Sequence, residues 1–459
     1  MIRQAFGCIA LVVGVLFCHQ LSAAEAKRTN VLLVVTDDQR WDTVSALGNP
    51  EIKTPAMDAL VQRGFTFNNA YCQGAMTGAV CLPSRTMIMT GKSVWKIPAA
   101  NEVVASQPSL GAIFNKAGYE TLYVGKKGNS YVAGNEQFDK FIYDERRARD
   151  NKLPEVRAKS SQFHADKTIE WLSDRQKDKP FLVFFAPPIP HDPRSAPAEF
   201  AAQYPAGKVS LSKNFMAQHP FDNGDMNIRD EQLAPTPRTE AEMKQHLADY
   251  YATIANLDFQ LGRVIESLKK SGQLDNTLII FTSDQGLAVG GRHGLMGKQN
   301  LYEHVKPPLV IAGPGIPHGS SDALVYLYDL LPTLTDYLHL PTPKGIDGVS
   351  LLPIIEGKQK TVRDVLFGAY KDSQRMVRDD RWKLIEYFAK GKSHTQLFDL
   401  KNDPDELHNL VDDPQTAAER KRLEGKLAEQ RKMFGDPIDF GKESPISDGE
   451  ARRAIKRKP

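Results

Sequence analysis

The sequence predicts an α/β protein built on a large, mostly parallel sheet, with a smaller α+β part on its carboxyl side. Three observations predict it. Short apolar and β-branched runs recur without polar alternation, as in strands covered on both faces. Helical patterns lie between those runs, the arrangement of a parallel sheet with crossovers. After Pro353 the pattern changes to closely spaced short strands and one terminal helix.

The strand runs are NVLLVVTDD (Asn30–Asp38), YETLYVGKK (Tyr119–Lys127), FLVFFAPPIPHD (Phe181–Asp192), NTLIIFTSDQG (Asn276–Gly286) and PLVIAGPG (Pro308–Gly315). Between them, TPAMDALVQRG offers Thr54 as N-cap, Pro55 at the first helical position and Gly64 as a stop. SLGAIFNKAG ends at Gly118. The longest helix opens at the capping box Thr239–Glu242. Met243, Leu247, Ile254, Leu257, Leu261, Ile265 and Leu268 then recur at helical spacing up to Gly272. Arg194–Arg238 is rich in Pro, Asn, Gly and Asp without periodicity, and reads as a long irregular segment shaping a cleft or covering an edge. Beyond Pro353, DVLFGAY, RMVRDDRWKLIEYF and TQLFDL read as strands, and Ala417–Phe434 as an amphipathic helix.

The first residues carry one arginine, an apolar run from Ala5 to Cys18 and small residues at cleavage spacing, which predicts a secretory signal peptide removed after Ala24 or Ala26. The apolar run is short for a retained anchor, and Phe17 before Cys18 does not suit a lipoprotein site. The expected divisions are a signal peptide at 1–24, a catalytic α/β domain at 27–353, an α+β subdomain at 354–436 and a polar tail at 437–459. The mature protein is expected to be exported, periplasmic or secreted, with no stable membrane anchor. The chain has 459 residues, 59 basic and 56 acidic, and a net charge of +3. No Lys/Arg run interleaved with aromatics appears outside the tail RRAIKRK, which argues against nucleic acid and reads as a solvated, disordered end. Two cysteines outlast cleavage, Cys72 and Cys81. Their spacing is compatible with a disulfide closing a small loop, and two cysteines do not make a zinc framework.

Ligands of such sheets bind beyond the carboxyl ends of the strands. Asp37 and Asp38, Lys126, His191, and Asp284 with Gln285 all fall there. Asp37, Asp38, Asp284 and Gln285 offer oxygen donors only, which suits a hard divalent cation, calcium before magnesium. The alternative is that the Asp37-Asp38 pair caps a strand end or a helix start. In CLPSR, Pro83 belongs in a first helical turn, so Cys81 sits at a helix amino end with Arg85 one turn on over the same face. A helix start favours an anion.

CLPSR matches the Cys-x-Pro-Ser-Arg signature of type I sulfatases, in which that cysteine is oxidised to formylglycine during export. The resemblance extends over nearly the whole mature chain, through VVTDDQRWD, the strand-end GK, PHDPR, FTSDQG, HGLMGKQNLYEH and LFDLKNDPDELHNL. It is most similar to bacterial sulfatases acting on sulfated glycans. It implies an alkaline phosphatase-like sandwich with a small carboxyl-side antiparallel sheet. It also implies one calcium ion on Asp37, Asp38, Asp284, Gln285 and the modified Cys81, and a formylglycine-generating maturation enzyme as partner. Many relatives carry Asn or His where this chain has Gln285. Hydrated formylglycine bears two hydroxyls: one attacks sulfur, and the other lets the adduct collapse to the aldehyde and expel sulfate, whereas a serine would stay sulfated. Arg85, Lys126 and Lys298 would neutralise the sulfate oxygens. His191 corresponds to the donor of a proton to the departing alcohol.

One departure stands out. Relatives commonly read Gly-Lys-x-His, whereas Gly125-Lys126 is followed here by Lys127 and Gly128. Either another base such as His293 does the job of the missing histidine, or turnover is slower, or the enzyme suits an unusual substrate. The implied activity is a sulfuric ester hydrolase acting on a sulfated small molecule or glycan. The alternatives are a phosphonate or phosphate ester hydrolase using the same aldehyde, and a non-catalytic sulfoglycan-binding relative.

Overall fold

The computed structural model describes residues 28–97, 109–127, 135–146 and 153–437. The predicted signal peptide, the basic tail and Gly128 lie outside the described residues. Eight strands form the main sheet: β1 (Asn30–Thr36), β2 (Phe65–Tyr71), β4 (Glu120–Gly125), β5 (Lys140–Ile142), β6 (Phe181–Ala186), β7 (Thr277–Ser283), β8 (Leu309–Ala312) and β9 (Gly319–Tyr326), in the order β5-β4-β6-β1-β7-β8-β2-β9. All five runs expected as strands are strands. β8 departs from the parallel pattern, running antiparallel to both β7 and β2. β2 and β9 were not among the expected strands, because FTFNNAY and GSSDALVY mix polar residues into one half of each run.

The unbroken hydrophobicity of β1 has a direct structural cause. Val31, Leu33 and Val35 pack into one core, and Leu32 and Val34 into another on the opposite face. All five are fully buried, and each such side chain is worth about 1.5–3 kcal/mol. One face is covered by α2 (Cys81–Thr90), α3 (Leu110–Lys116) and α6 (Leu330–Tyr337). The other is covered by α1 (Pro55–Arg63), α4 (Ser160–Asp174) and α5 (Glu240–Lys270). Of the predicted capping box on α5, the Thr239 half is present: its Oγ1 accepts the Glu242 N–H at 3.3 Å.

Thr54 precedes α1 as expected, but its side chain makes no cap hydrogen bond. The cap comes from α5 instead. The Ala56 and Met57 N–H groups donate to the two oxygens of Asp258 at 3.1 and 2.8 Å, while Thr54 Oγ1 donates to Asp58. Burial pushes the Asp258 carboxyl up to about 7, against the pull of those two N–H bonds. A carboxyl raised on folding contributes stability that is complete below its unfolded value near 4 and is lost as pH rises through about 7. Chemical denaturation of the wild type and Asp258→Asn should therefore diverge between pH 4 and 7. The wild type is expected to lose stability relative to the variant at up to about 1.4 kcal/mol per pH unit. Parallel curves would refute this.

The smaller sheet has the order β13-β12-β11-β10-β3, built from β10 (Leu366–Tyr370), β11 (Gln374–Arg378), β12 (Trp382–Ala389) and β13 (Lys392–Asp399) in antiparallel register. Its fifth strand, β3 (Gly74–Ala75), comes from the amino-terminal half and runs parallel to β10. Gly74 is required there: its φ is +107°, and a Cβ would stand 1.8 Å from the Ala369 carbonyl oxygen. The helix α7 (Ala417–Phe434) lies on this sheet through Leu423 and Leu427. No helix among the described residues is long and apolar enough to cross a membrane.

Candidate functional site

The site forms where β1, β4, β6 and β7 end, around the amino terminus of α2. Thr36 pairs in register with Ser283, so the residues following both strands stand side by side. The Asp284 N–H donates to the Thr36 carbonyl at 3.1 Å, and the Asp37 N–H to the Ile189 carbonyl at 3.0 Å. Asp38 then turns back with a φ of +71°, a left-handed conformation that Asp tolerates better than most residues. Its own N–H donates to Asp284 Oδ1 at 3.0 Å. Three carboxylates are thereby held together, all with no solvent exposure.

Cys81 is the first residue of α2, Pro83 lies in the first turn, and Gly91 ends the helix with a φ of +68°. Ser84 anchors the helix start by donating its hydroxyl to the Asp284 carbonyl at 2.6 Å. One turn on, Arg85 Nε donates to Asp284 Oδ2 at 3.0 Å, and Nη2 lies 3.5 Å from Asp37 Oδ2. Neither Arg85 Nη1 nor Nη2 makes a hydrogen bond, although both are buried; Asp37 Oδ1 also has none.

Lys126 follows β4, its Nζ 2.8 Å from Asp37 Oδ2. The preceding Gly125 passes so close to β6 that a Cβ would meet the Ala186 oxygen at 2.3 Å. His191 follows β6, with Nε2 3.7 Å from Asp38 Oδ2 and Nδ1 2.8 Å from the Asp192 carbonyl. Lys298 Nζ lies 3.1–3.2 Å from both Asp38 oxygens and 3.2 Å from Cys81 Sγ. Gln285 Nε2 donates to Asp38 Oδ1 at 3.0 Å and lies 3.7 Å from Cys81 Sγ. All nine expected residues therefore converge.

The electrostatics separate their roles. Burial raises Asp37, but Lys126, Arg85, His191 and Lys298 outweigh it and hold the carboxyl well below its usual range. Burial pushes Asp284 up to about 7, with Asp37 adding to the rise and Arg85 opposing it. Burial, then Asp284, Asp37 and Asp38, drive the Cys81 thiol well above its usual value. An unmodified Cys81 is therefore a protonated thiol, neither a nucleophile nor an anionic ligand at neutral pH. Burial, then Lys126 and Lys298, depress His191 well below its usual range, so its imidazole rests neutral. Cys72 and Cys81 are both free thiols, so no disulfide joins them.

The donor set fits a hard cation. Cys81, Asp37, Asp38 and His191 bring ligand-type atoms within 4.8 Å of one another, and Asp37 Oδ1 is an orphaned buried acceptor. Three carboxylates face three cationic side chains, so a dication would leave the pocket positive and attractive to an anion. Gln285 presents its nitrogen to Asp38; a turn of the amide about its last bond would present the carbonyl oxygen instead.

A family model for sulfatases matches residues 29–340, and one for the carboxyl-terminal part of N-sulphoglucosamine sulphohydrolase matches residues 291–433. The chain belongs to the sulfatase family. It is 28% identical to an N-acetylglucosamine-6-O-sulfatase of Bacteroides thetaiotaomicron, over 95% of this chain and 92% of that one. It is 26% identical to an arylsulfatase of Clostridium perfringens, over 84% and 90% of the two chains. A solved structure in complex with its substrate D-glucosamine-2-N,6-O-disulfate is 25% identical, with a TM-score of 0.71 over 91% of this chain and all of that one. The fold also matches a phosphonate monoester hydrolase of Agrobacterium radiobacter at 23% identity, with a TM-score of 0.73 over 89% and 96%. This sulfatase is thus a sulfuric ester hydrolase with the alkaline phosphatase-like architecture.

His293 is not brought to the sulfatase site. Its Nε2 lies 2.8 Å from Glu303 Oε2 and 3.1 Å from Asn214 Nδ2, and its ring stacks on Tyr302 at 4.0 Å. Glu406 lies beside this group, and Arg292 and Lys383 meet its carboxylates at 2.8 Å each. Sequence reasoning also missed Asp230, whose Oδ2 lies 3.7 Å from Lys298 Nζ and accepts from Gln299 at 3.0 Å. Arg229 beside it bridges Asp230 to Asp192, behind His191. Both sit in the aperiodic Arg194–Arg238 segment, where no local pattern distinguishes a site residue from a loop residue.

Proposed function

We propose that this sulfatase is exported to the periplasm or beyond and releases sulfate from a carbohydrate. It would use formylglycine made from Cys81 by a maturation enzyme, and one calcium ion held by Asp37, Asp38, Asp284, Gln285 and the modified Cys81. The observation that carries this reading is the convergence of Cys81, three buried carboxylates and three cations, with Arg85 Nη1 and Nη2 left unbonded beside the helix start. Those unbonded donors are what a tetrahedral anion needs. The similarity to an N-acetylglucosamine-6-O-sulfatase and to the glucosamine disulfate complex supports a sugar sulfate. The amino-terminal segment supports export.

When bound, calcium would supply Lewis-acid stabilisation of the sulfate group, and formylglycine as its hydrate would supply the attacking oxygen that the thiol lacks. Arg85, Lys126 and Lys298 hold the anion's oxygens and spread the charge that develops on them. His191 Nε2 delivers a proton to the alcohol oxygen as the sulfur–oxygen bond breaks. Burial, then Lys126 and Lys298, keep His191 neutral; an anion lying against the two lysines offsets their share, so substrate entry shifts His191 towards the protonated form this role needs. Arg229, through Asp192, and Asp230, against Lys298, hold these two groups from behind.

Mass spectrometry of the tryptic peptide Gly64–Arg85 tests the modification, with Cys72 in the same peptide as internal control. The active protein is expected to show aldehyde in place of thiol at Cys81, reactive towards hydrazides, while Cys72 still alkylates. A fully active protein with an intact Cys81 thiol would overturn the proposal.

A further inference from the structure

Asp38 holds a left-handed backbone conformation, and one hydroxyl on another element hydrogen-bonds to the backbone on both sides of the turn. In the left-handed region a non-glycine residue pays for close contact between its Cβ and the backbone. Four hydrogen bonds pin residues 38–40 after β1. Two come from β7 and the residue after it: Asp38 N–H to Asp284 Oδ1 at 3.0 Å, and Gln39 N–H to Ser283 Oγ at 2.9 Å. The other two meet at the Tyr250 hydroxyl on α5, more than 200 residues away in sequence. It donates to the Asp38 carbonyl at 2.6 Å and accepts the Arg40 N–H at 2.9 Å.

The directions are mutually consistent, since a phenol has one proton to give and lone pairs to receive. Tyr250 has no solvent exposure, and burial pushes its hydroxyl up, so it stays protonated and remains a donor. The ring is itself confined. The Arg40 guanidinium lies 5.3 Å from its centroid and donates to the Leu287 and Val289 carbonyls at 3.2 and 3.0 Å. The Arg194 guanidinium lies at the same distance from the ring, with Nε and Nη2 making no hydrogen bond. Nothing in this set touches the Asp38 carboxylate. The carboxylate itself faces Cys81, Gln285, Lys298 and His191.

We infer that Tyr250 is a positioning residue for the cation site: its hydroxyl holds the Asp38 turn in the left-handed form that aims the Asp38 carboxylate into the cluster. The inference rests on the calcium reading above. Without the hydroxyl, the Asp38 carbonyl and Arg40 N–H lose their partner in a dry interior, and the turn relaxes towards an unstrained conformation that carries the carboxylate away.

The test is calorimetric titration of calcium chloride into chelator-stripped mature protein, comparing wild type, Tyr250→Phe and Tyr251→Phe. Tyr251 is the adjacent buried tyrosine on the same helix, and its hydroxyl accepts from Asn49 at 3.3 Å, away from the turn. Tyr250→Phe is expected to weaken calcium binding about 10- to 100-fold, as for other groups that orient a metal ligand. Tyr251→Phe is expected to leave it unchanged. Equal affinities for Tyr250→Phe and wild type, or equal losses in the two variants, would overturn the inference. A wild type that takes up no calcium would instead sink the calcium reading itself. Hydrogen exchange on the wild type gives a measurement independent of any variant. Calcium is expected to slow exchange of the Gln39 and Arg40 amides, and unchanged exchange in protein that binds calcium would also overturn the inference.

Discussion

Cys81→Ala is expected to lower sulfate release by about ten-thousand-fold or more, the usual scale for loss of a nucleophile. The fold is expected to survive. Cys81 is a small, fully buried side chain whose Sγ lies 3.2–3.7 Å from Asp38, Gln285 and Lys298. The helix start is held by Ser84 and Arg85 on Asp284, not by the thiol. Cys81→Ser sharpens the test. A serine oxygen stands in the same place but has no second hydroxyl through which to expel sulfate. At most one equivalent of alcohol per chain is expected, read as a burst without turnover. Multiple turnovers by the serine variant would remove the reason for an aldehyde at this position.

Arg85→Leu is expected to damage both chemistry and stability. Arg85 is the cation that Asp37 and Asp284 share, and all three side chains are fully buried. Breaking a buried pair by removing one partner costs about 3–5 kcal/mol, because the other charge is left in a dry interior. Loss of a donor aimed at the developing charge costs a further factor of about 100–1,000 in kcat. The deficit should depend on pH. Without Arg85, Asp284, already pushed up to about 7 by burial and Asp37, rises further. A carboxyl raised on folding loses its stabilising contribution as pH climbs through its folded value, so the variant's thermal deficit should be larger at pH 8 than at pH 6. Arg85→Lys restores one charge without the planar fork, so it is expected to recover stability more than rate. A variant with unchanged melting temperature at both pH values would show that the carboxylates are compensated by something other than Arg85.

The polar residues ending the apolar runs are legible in the sequence itself. Five runs became five strands, and the acids, lysine and histidine that follow four of them meet in one pocket, because parallel strands deliver their carboxyl ends to the same edge. CLPSR was legible for a similar reason: Pro83 restricts where the helix begins, and helical periodicity puts Arg85 over Cys81. Local rules also failed in specific places. Thr54 looked like the cap of α1, yet Asp258 supplies it from a helix 200 residues further on. His293 looked like a spare base, yet Glu303 and Asn214 hold it elsewhere.

Composition and periodicity alone determined that this chain makes a covered parallel sheet with oxygen donors and cations at its carboxyl edge. They also determined which cysteine begins a helix. Tertiary packing alone decided that β3 crosses into the small sheet, that β8 runs backwards, and that Asp230, Arg229 and Tyr250 support the site. The physical reason is range. Capping, pleat and helix period act over a few residues and leave a trace in the string, whereas a hydroxyl that pins Asp38 across 212 positions is specified by where two elements pack.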